Sequence, residues 1–330
     1  MRKNALIICS FVAALGVFGA FFRWLQNSIS FDAETGLMKP GLLNVLVPAA
    51  IIIAAGLFYY LIVRLRKTYA ALSDMYSVFR GTSIFYPIFA WTIAVIVILG
   101  GFILMINSAE SALHGMYFVI AVLAVFTGIC FPMICTAARS RYSPAMVSLF
   151  TTLPIVLFAL WLITCYKANA SNPNTWVYAI EIIACCIVTA AFYFIAGYPY
   201  GRAKPYYALF FAMLGAYLCI MTLADSRYVG QQFIFLGTAG MLLMECWMIT
   251  NNMVEKTDAP EEELPEPEET EELPEEEPEE AEEVLPVKDE MTGHEPTIQA
   301  PATRSAPASE RLKSLQEIDE IIKEYKNLNS

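Results

Sequence analysis

Histidine is nearly absent from this chain. Its 330 residues hold two, His114 and His294, too few for a histidine-built zinc site. No HExxH, GxSxG or kinase-type set of motifs occurs, and no glycine-rich phosphate loop follows a strand. No nucleophile–base pair is evident, so an intramembrane enzyme is the least favoured reading. The chain is expected to be non-enzymatic, with no cofactor and no metal. Disulfide signals are missing as well. Cys9, Cys130, Cys135, Cys165, Cys185, Cys186, Cys219 and Cys246 all lie in apolar stretches, and no CxxC pair occurs. Free cysteine in such surroundings is a small hydrophobe. The adjacent Cys185 and Cys186 point to different sides of a helix, which argues against a shared metal.

Charge is scarce too, over most of the length. Residues 1–250 carry 14 Lys/Arg and 7 Asp/Glu, a net of +7. Residues 251–330 carry 7 Lys/Arg against 25 Asp/Glu, a net of −18, so the overall −11 belongs to a tail. With 57% hydrophobic residues and a mean hydropathy of +0.52, the chain is too apolar for a soluble domain of this size.

Long hydrophobic runs are abundant. Eight reach spanning length, at 4–24, 41–63, 84–107, 115–136, 145–166, 176–197, 204–224 and 230–250. Residues 1–252 are therefore expected to form an all-α, polytopic transmembrane helical bundle of eight spans. With the N-terminus placed in the cytoplasm, that side receives Arg2, Lys3, Arg64, Arg66, Lys67, Arg80, Arg139, Arg141, Arg202 and Lys204. The outer side receives only Arg23, Lys39, Lys167 and Arg227. The bias predicts both termini in the cytoplasm. Met1-Arg2-Lys3 and the following run also fit a signal peptide. The run from Ala5 to Phe22 is long for that role, and no small-x-small site closes it.

Local signals refine the picture. Gly16 and Ala20, and the group Ala49, Ala50, Ala54, Ala55 and Gly56, predict close helix approach. Pro132 and Pro154 fall inside spans and predict kinks, with Thr151 and Thr152 placed to serve freed carbonyls. SRYSP (140–144) and GRAKP (201–205) each put a proline at the start of a helix. YAALSDMYSVF fits either a short surface helix or a soft linker. In FDAETGL (31–37), Asp32 and Glu34 resemble half of a calcium loop. The full pattern is missing, and a solvated turn pivoting on Gly36 is favoured.

The stretch from Trp176 to Gly197 holds Glu181. Tyr178, Glu181, Cys185 and Thr189 follow at steps of three and four and share a helix face. Five residues inside Trp176 is roughly 7–8 Å below the outer boundary. A carboxylate at the bilayer centre costs about 3 kcal/mol, and less at that depth. It needs a partner, and Lys167, Arg23 and Arg227 lie at its level. One reading is an outward-facing polar pocket of Glu181, Tyr178, Tyr166, Lys167 and Asp225. The other is a structural Glu–Lys pair that fixes helix packing. Glu245, near the inner end of the last span, is expected to pair with Arg202 or Lys204 or to reach the interface.

Residues 253–308 are rich in Glu and Pro and read as a disordered acidic linker. Residues 309–330 then predict a short amphipathic C-terminal helix capped by Ser309, with Leu312, Leu315, Ile318, Ile322 and Tyr325 along one stripe. Such a stripe at the end of a tether suits docking to a cytosolic protein over residues 310–328.

The run PIVLFALWLITCYKANASNPNTWVYAIEIIA (154–184), with FDAETGL and LAD (223–225), resembles an uncharacterised family of polytopic membrane proteins from Gram-positive anaerobic bacteria. The resemblance covers the eight-span body better than the tail. It implies a bacterial plasma membrane and no activity. Two functional readings stand. One is a module that anchors in the bilayer, senses through the Glu181 pocket and docks a partner by its tail. The other is a small-solute carrier or permease, with Glu181 and Lys167 near its mouth and the proline kinks hinging its path. Nothing points to nucleic acid.

Overall fold

The computed structural model describes residues 2–32, 38, 39, 41–81, 85–170, 172 and 174–256. The readings placed on Glu34, Gly36, residues 257–308 and the 309–330 stripe lie outside these residues.

Eight of the described helices are long and apolar enough to cross a membrane. They are α1 (Arg2–Ile29), α2 (Leu42–Thr68), α4 (Phe85–Asn107), α5 (His114–Cys135), α7 (Pro144–Ala168), α8 (Ala179–Ala196), α9 (Pro205–Thr222) and α10 (Val229–Asn251). Two one-turn helices, α3 (Met75–Val78) and α6 (Ala137–Ser140), lie in connections. The only sheet among the described residues is the antiparallel pair of β1 (Tyr69–Ala70) and β2 (Val254–Glu255). The fold is all-α, a polytopic helical bundle. Its spans match the apolar runs because uninterrupted hydrophobic sequence leaves the helix as the way to satisfy every backbone group in hydrocarbon.

The last span is the centre of the bundle and the second is at its edge. In the most apolar window of α10, 72% of residues are buried inside the protein, against 22% in α2. α10 packs along α4, α9 and α1, and α5 lies between α4 and α7. The outside is lined with large apolar side chains such as Phe18, Leu42, Ile52, Phe89, Ile106 and Leu149, which suits lipid as solvent.

α4 and α10 approach closely at backbone level. A Cβ on Gly230 would collide with the Gly100 carbonyl and the Leu104 backbone. Gly16 of α1 does lie tight against Ile220 of α9, as expected. Gly56 does not take part, since its surroundings are open. The small residues of α2 thus do not all mark a helix contact.

The start of α1 and the chain after α10 meet at one end of the bundle, here called the terminal end. Asn4 Nδ2 lies 3.4 Å from the Tyr69 hydroxyl, and Tyr69 pairs with Glu255. The segment after α2 takes the short-helix reading only over Met75–Val78. It forms β1 and then α3, capped by the Asp74 carboxylate accepting from Ser77 N at 2.9 Å. Met75, Val78 and Phe79 are buried in the core. Asn252 donates its side-chain amide to the Val78 carbonyl. The first residues assigned to the acidic linker are therefore pinned: Met253 is buried, and 254–255 form β2.

Pro144 and Pro205 open α7 and α9 as the sequence predicts, and Ser143 caps α7 by accepting from Met146 N. Thr151 and Thr152 beside Pro154 bond the carbonyls of Val147 and Ser148, not that of Phe150, four residues before Pro154.

Candidate functional site

At the end opposite the termini, four charged side chains form one buried network. Arg23, one turn and a half before the end of α1, is 1% exposed. Its Nε lies 2.6 Å from Asp225 Oδ1, and its Nη1 donates to Gln26 Oε1 at 2.7 Å. Its Nη2 donates to the carbonyls of Trp176 and Val177 at 3.0 and 3.3 Å. Those carbonyls need a donor for a local reason. The expected span from 176 does not begin there: Thr175–Val177 is a 3₁₀ turn, and α8 starts only at Ala179. Arg23 satisfies the broken ladder.

Asp225, in the turn between α9 and α10, is the hub. Its Oδ1 also accepts from Asn27 Nδ2 at 3.1 Å, and its Oδ2 meets Arg227 Nη2 at 2.7 Å. Gln232 Nε2 reaches its backbone carbonyl at 3.2 Å. Arg227 then turns to α8, with Nη1 2.9 Å from Glu181 Oε1. That contact is an ion pair between two buried side chains. Burial works against the charge on Arg227. The carboxylates of Glu181 and Asp225 outweigh it, so its pKa rises above the usual arginine value.

Glu181 sits in the first turn of α8, where the helix dipole favours an anion. It lies shallower in the helix than the sequence predicts, because α8 begins later. Its Oε1 also accepts from Trp161 Nε1 at 2.7 Å. The Trp161 ring is held by Phe158, at 5.9 Å, and Phe235, at 4.9 Å. Two arginines and two carboxylates balance, so the network is neutral.

A cavity of about 650 Å³ opens beside this network. Glu181, Arg227, Trp161, Tyr117, Tyr178 and Tyr228 line it, together with the amides of Asn169, Gln231 and Gln232. A second cavity, about 550 Å³, lies between α1, α4 and α10 near the terminal end; it has no charged group in its wall.

Of the residues predicted for the pocket, the structure brings Glu181 and Tyr178 to the cavity and places Asp225 behind it in the same network. Tyr166 and Lys167 are elsewhere. Both are exposed near the end of α7, and the charge facing Glu181 is Arg227. Helical phase is the reason: Trp161 and Cys165, four apart, take the inward face, so Tyr166 and Lys167 turn away. Trp161, Gln26, Asn27 and Gln232 join the network without a signal in the pocket's own motif. The i, i+3, i+4 set Arg23, Gln26 and Asn27 on one face of α1 was the available signal. Glu245 pairs with neither Arg202 nor Lys204: it is fully buried with both oxygens unpartnered. Asp32 pairs with Lys39 at 2.8 Å.

Among the described residues, no group of three or more His, Cys, Asp or Glu is placed to hold a metal. Comparison with protein-family models, with curated proteins and with solved structures finds no match to this chain.

Proposed function

We propose that the bundle is a non-enzymatic membrane module and that the cavity beside Glu181 and Arg227 receives a small polar solute. The observation that carries this is a cavity of about 650 Å³ whose wall holds the buried Arg227–Glu181 pair beside aromatic rings and side-chain amides. The ring faces of Trp161 and three tyrosines suit the apolar part of such a solute, and the three amides suit its polar edge.

Binding is favoured over passage. Phe158, Trp161 and Phe235 pack ring against ring beside the cavity and fill the core there. The alternative, a carrier, requires those rings to part. Flux measured in proteoliposomes with the wild type and Glu181→Gln separates the two readings.

The test of binding is thermal unfolding of detergent-solubilised protein with a panel of small carboxylic acids, amino acids and sugars. At least one class is expected to raise the Tm of the wild type. The concentration required is expected to be tenfold or more higher for Gln231→Ala, which alters the wall without breaking the ion pairs. Equal responses from both proteins, or no response to any class, would count against the reading.

The same proposal keeps a bacterial plasma membrane with both termini cytoplasmic, supported by the bias of basic residues toward one set of connections. It also keeps docking of a cytosolic protein by the stripe at 310–328. A pull-down comparing the full chain with one ending at Lys256, which retains β2, tests the docking; identical interactors from both would oppose it.

A further inference from the structure

Glu245 is the least compensated polar group in the described bundle. It has no exposure, neither oxygen has a hydrogen-bond partner, and the ion pairs found join other residues. It lies six residues before the end of α10, roughly 9 Å along the helix from the terminal end.

Among the described residues, no cation pairs with Glu245. Cys135 faces it from the end of α5, with Sγ 3.8 and 3.7 Å from the sulfurs of Met241 and Met244. Tyr198 faces it from the turn leading into α9, and Cys246 adjoins it on α10. From α1, Cys9 Sγ lies 3.4 Å from the Leu243 carbonyl; from α4, Tyr86 packs on Trp247. Thiols, thioethers and phenols cannot balance a carboxylate. An unpaired ionised group in such a place costs several kcal/mol.

Tyr198 shares the anomaly. It is 3% exposed, and its hydroxyl has no partner. Burial pushes its phenol above the usual tyrosine range, so it stays a neutral donor. The ring of Phe79 packs edge to face on it at 5.6 Å. Both residues belong to connections at the terminal end, outside the spanning helices.

We infer that Glu245 is a proton-binding site of the bundle, reached from the terminal end past Tyr198 and Phe79. The bound proton neutralises the carboxyl in place. Its release goes to water admitted when the Phe79–Tyr198 cover parts, and needs no other reactant. The site is independent of the solute cavity: Gln231 in that wall is fourteen residues away on α10, roughly 21 Å.

Infrared spectroscopy of the full chain in lipid nanodiscs, through a titration from mildly acidic to mildly alkaline, tests this. A carbonyl band of a protonated carboxyl is expected at neutral pH. It should shift with isotope-labelled glutamate, vanish in Glu245→Gln and persist in Glu181→Gln. Phe79→Ala should speed its exchange in heavy water severalfold. A wild type without the band, or Glu245→Gln retaining it, would overturn the site. Exchange unchanged by Phe79→Ala would overturn the route. One equivalent of a metal ion that co-purifies with the wild type and is lost from Glu245→Gln would also overturn it, in favour of a metal counter-ion. If Glu245→Gln does not fold, the isotope shift in the wild type decides.

Discussion

Arg227 and Glu181 stand 2.9 Å apart, and this one pair joins the turn before α10 to the first turn of α8. Both side chains are about nine-tenths buried or more. Removing one partner of such a pair leaves the other charge unsupported, at about 3–5 kcal/mol. Arg227→Gln is expected to destabilise by that amount, because it leaves Glu181 without its cation while Asp225 keeps Arg23. The double variant Glu181→Gln with Arg227→Met should lose less than the sum of its single variants. Denaturant unfolding in detergent measures both.

Trp161 acts on the same carboxylate by its indole N–H. Trp161→Phe keeps a ring against Phe158 and Phe235 but drops the 2.7 Å hydrogen bond to Glu181. A bond to a charged acceptor is worth about 1.5–3 kcal/mol, and a loss in that range is expected. Lys167→Ala, one turn and a half further along α7, should stay within about 0.5 kcal/mol of the wild type in the same assay. A larger effect of Lys167 would revive it as a partner of Glu181.

Two glycines should respond in opposite directions. Gly230→Ala places a methyl against backbone atoms of α4, which cannot give way as a flexible side chain can. Overpacking of that kind costs about 1–3 kcal/mol. Gly56→Ala meets open space in the middle of α2 and should gain about 0.5–1 kcal/mol from helix propensity. Melting temperatures of the two variants in one lipid mixture provide the comparison.

The terminal end makes a prediction about the tail. Asn252 and β2 hold the segment from Tyr69 to Arg80 by its backbone. A chain ending at Asn251 should be cut by trypsin after the exposed Arg80 several-fold faster than one ending at Lys256. Equal rates would mean that the β1–β2 pairing contributes nothing to holding the loop.

Much of the architecture is legible in the residues. The eight runs became eight helices within a few positions, and Pro144 and Pro205 open helices where expected. The site was legible in part. Glu181, Tyr178 and Asp225 stand out in the sequence, and Arg227 is among the possible partners of Glu181. Lys167 was placed beside Glu181 by depth alone. Depth follows from counting residues, but azimuth around a helix depends on which face the neighbours occupy. Glu245 shows the same limit: its level matched Arg202 and Lys204, yet it faces sulfur and a phenol.

Apolar length and the scarcity of charge determined, from the sequence alone, that this chain is a bundle of eight membrane-length helices, because a backbone in hydrocarbon has almost no alternative to the helix. Which of those helices is central, which arginine meets Glu181, and that Glu245 meets none were decided only by tertiary packing. Each depends on distances between residues far apart in the chain, and helical periodicity carries no information about those.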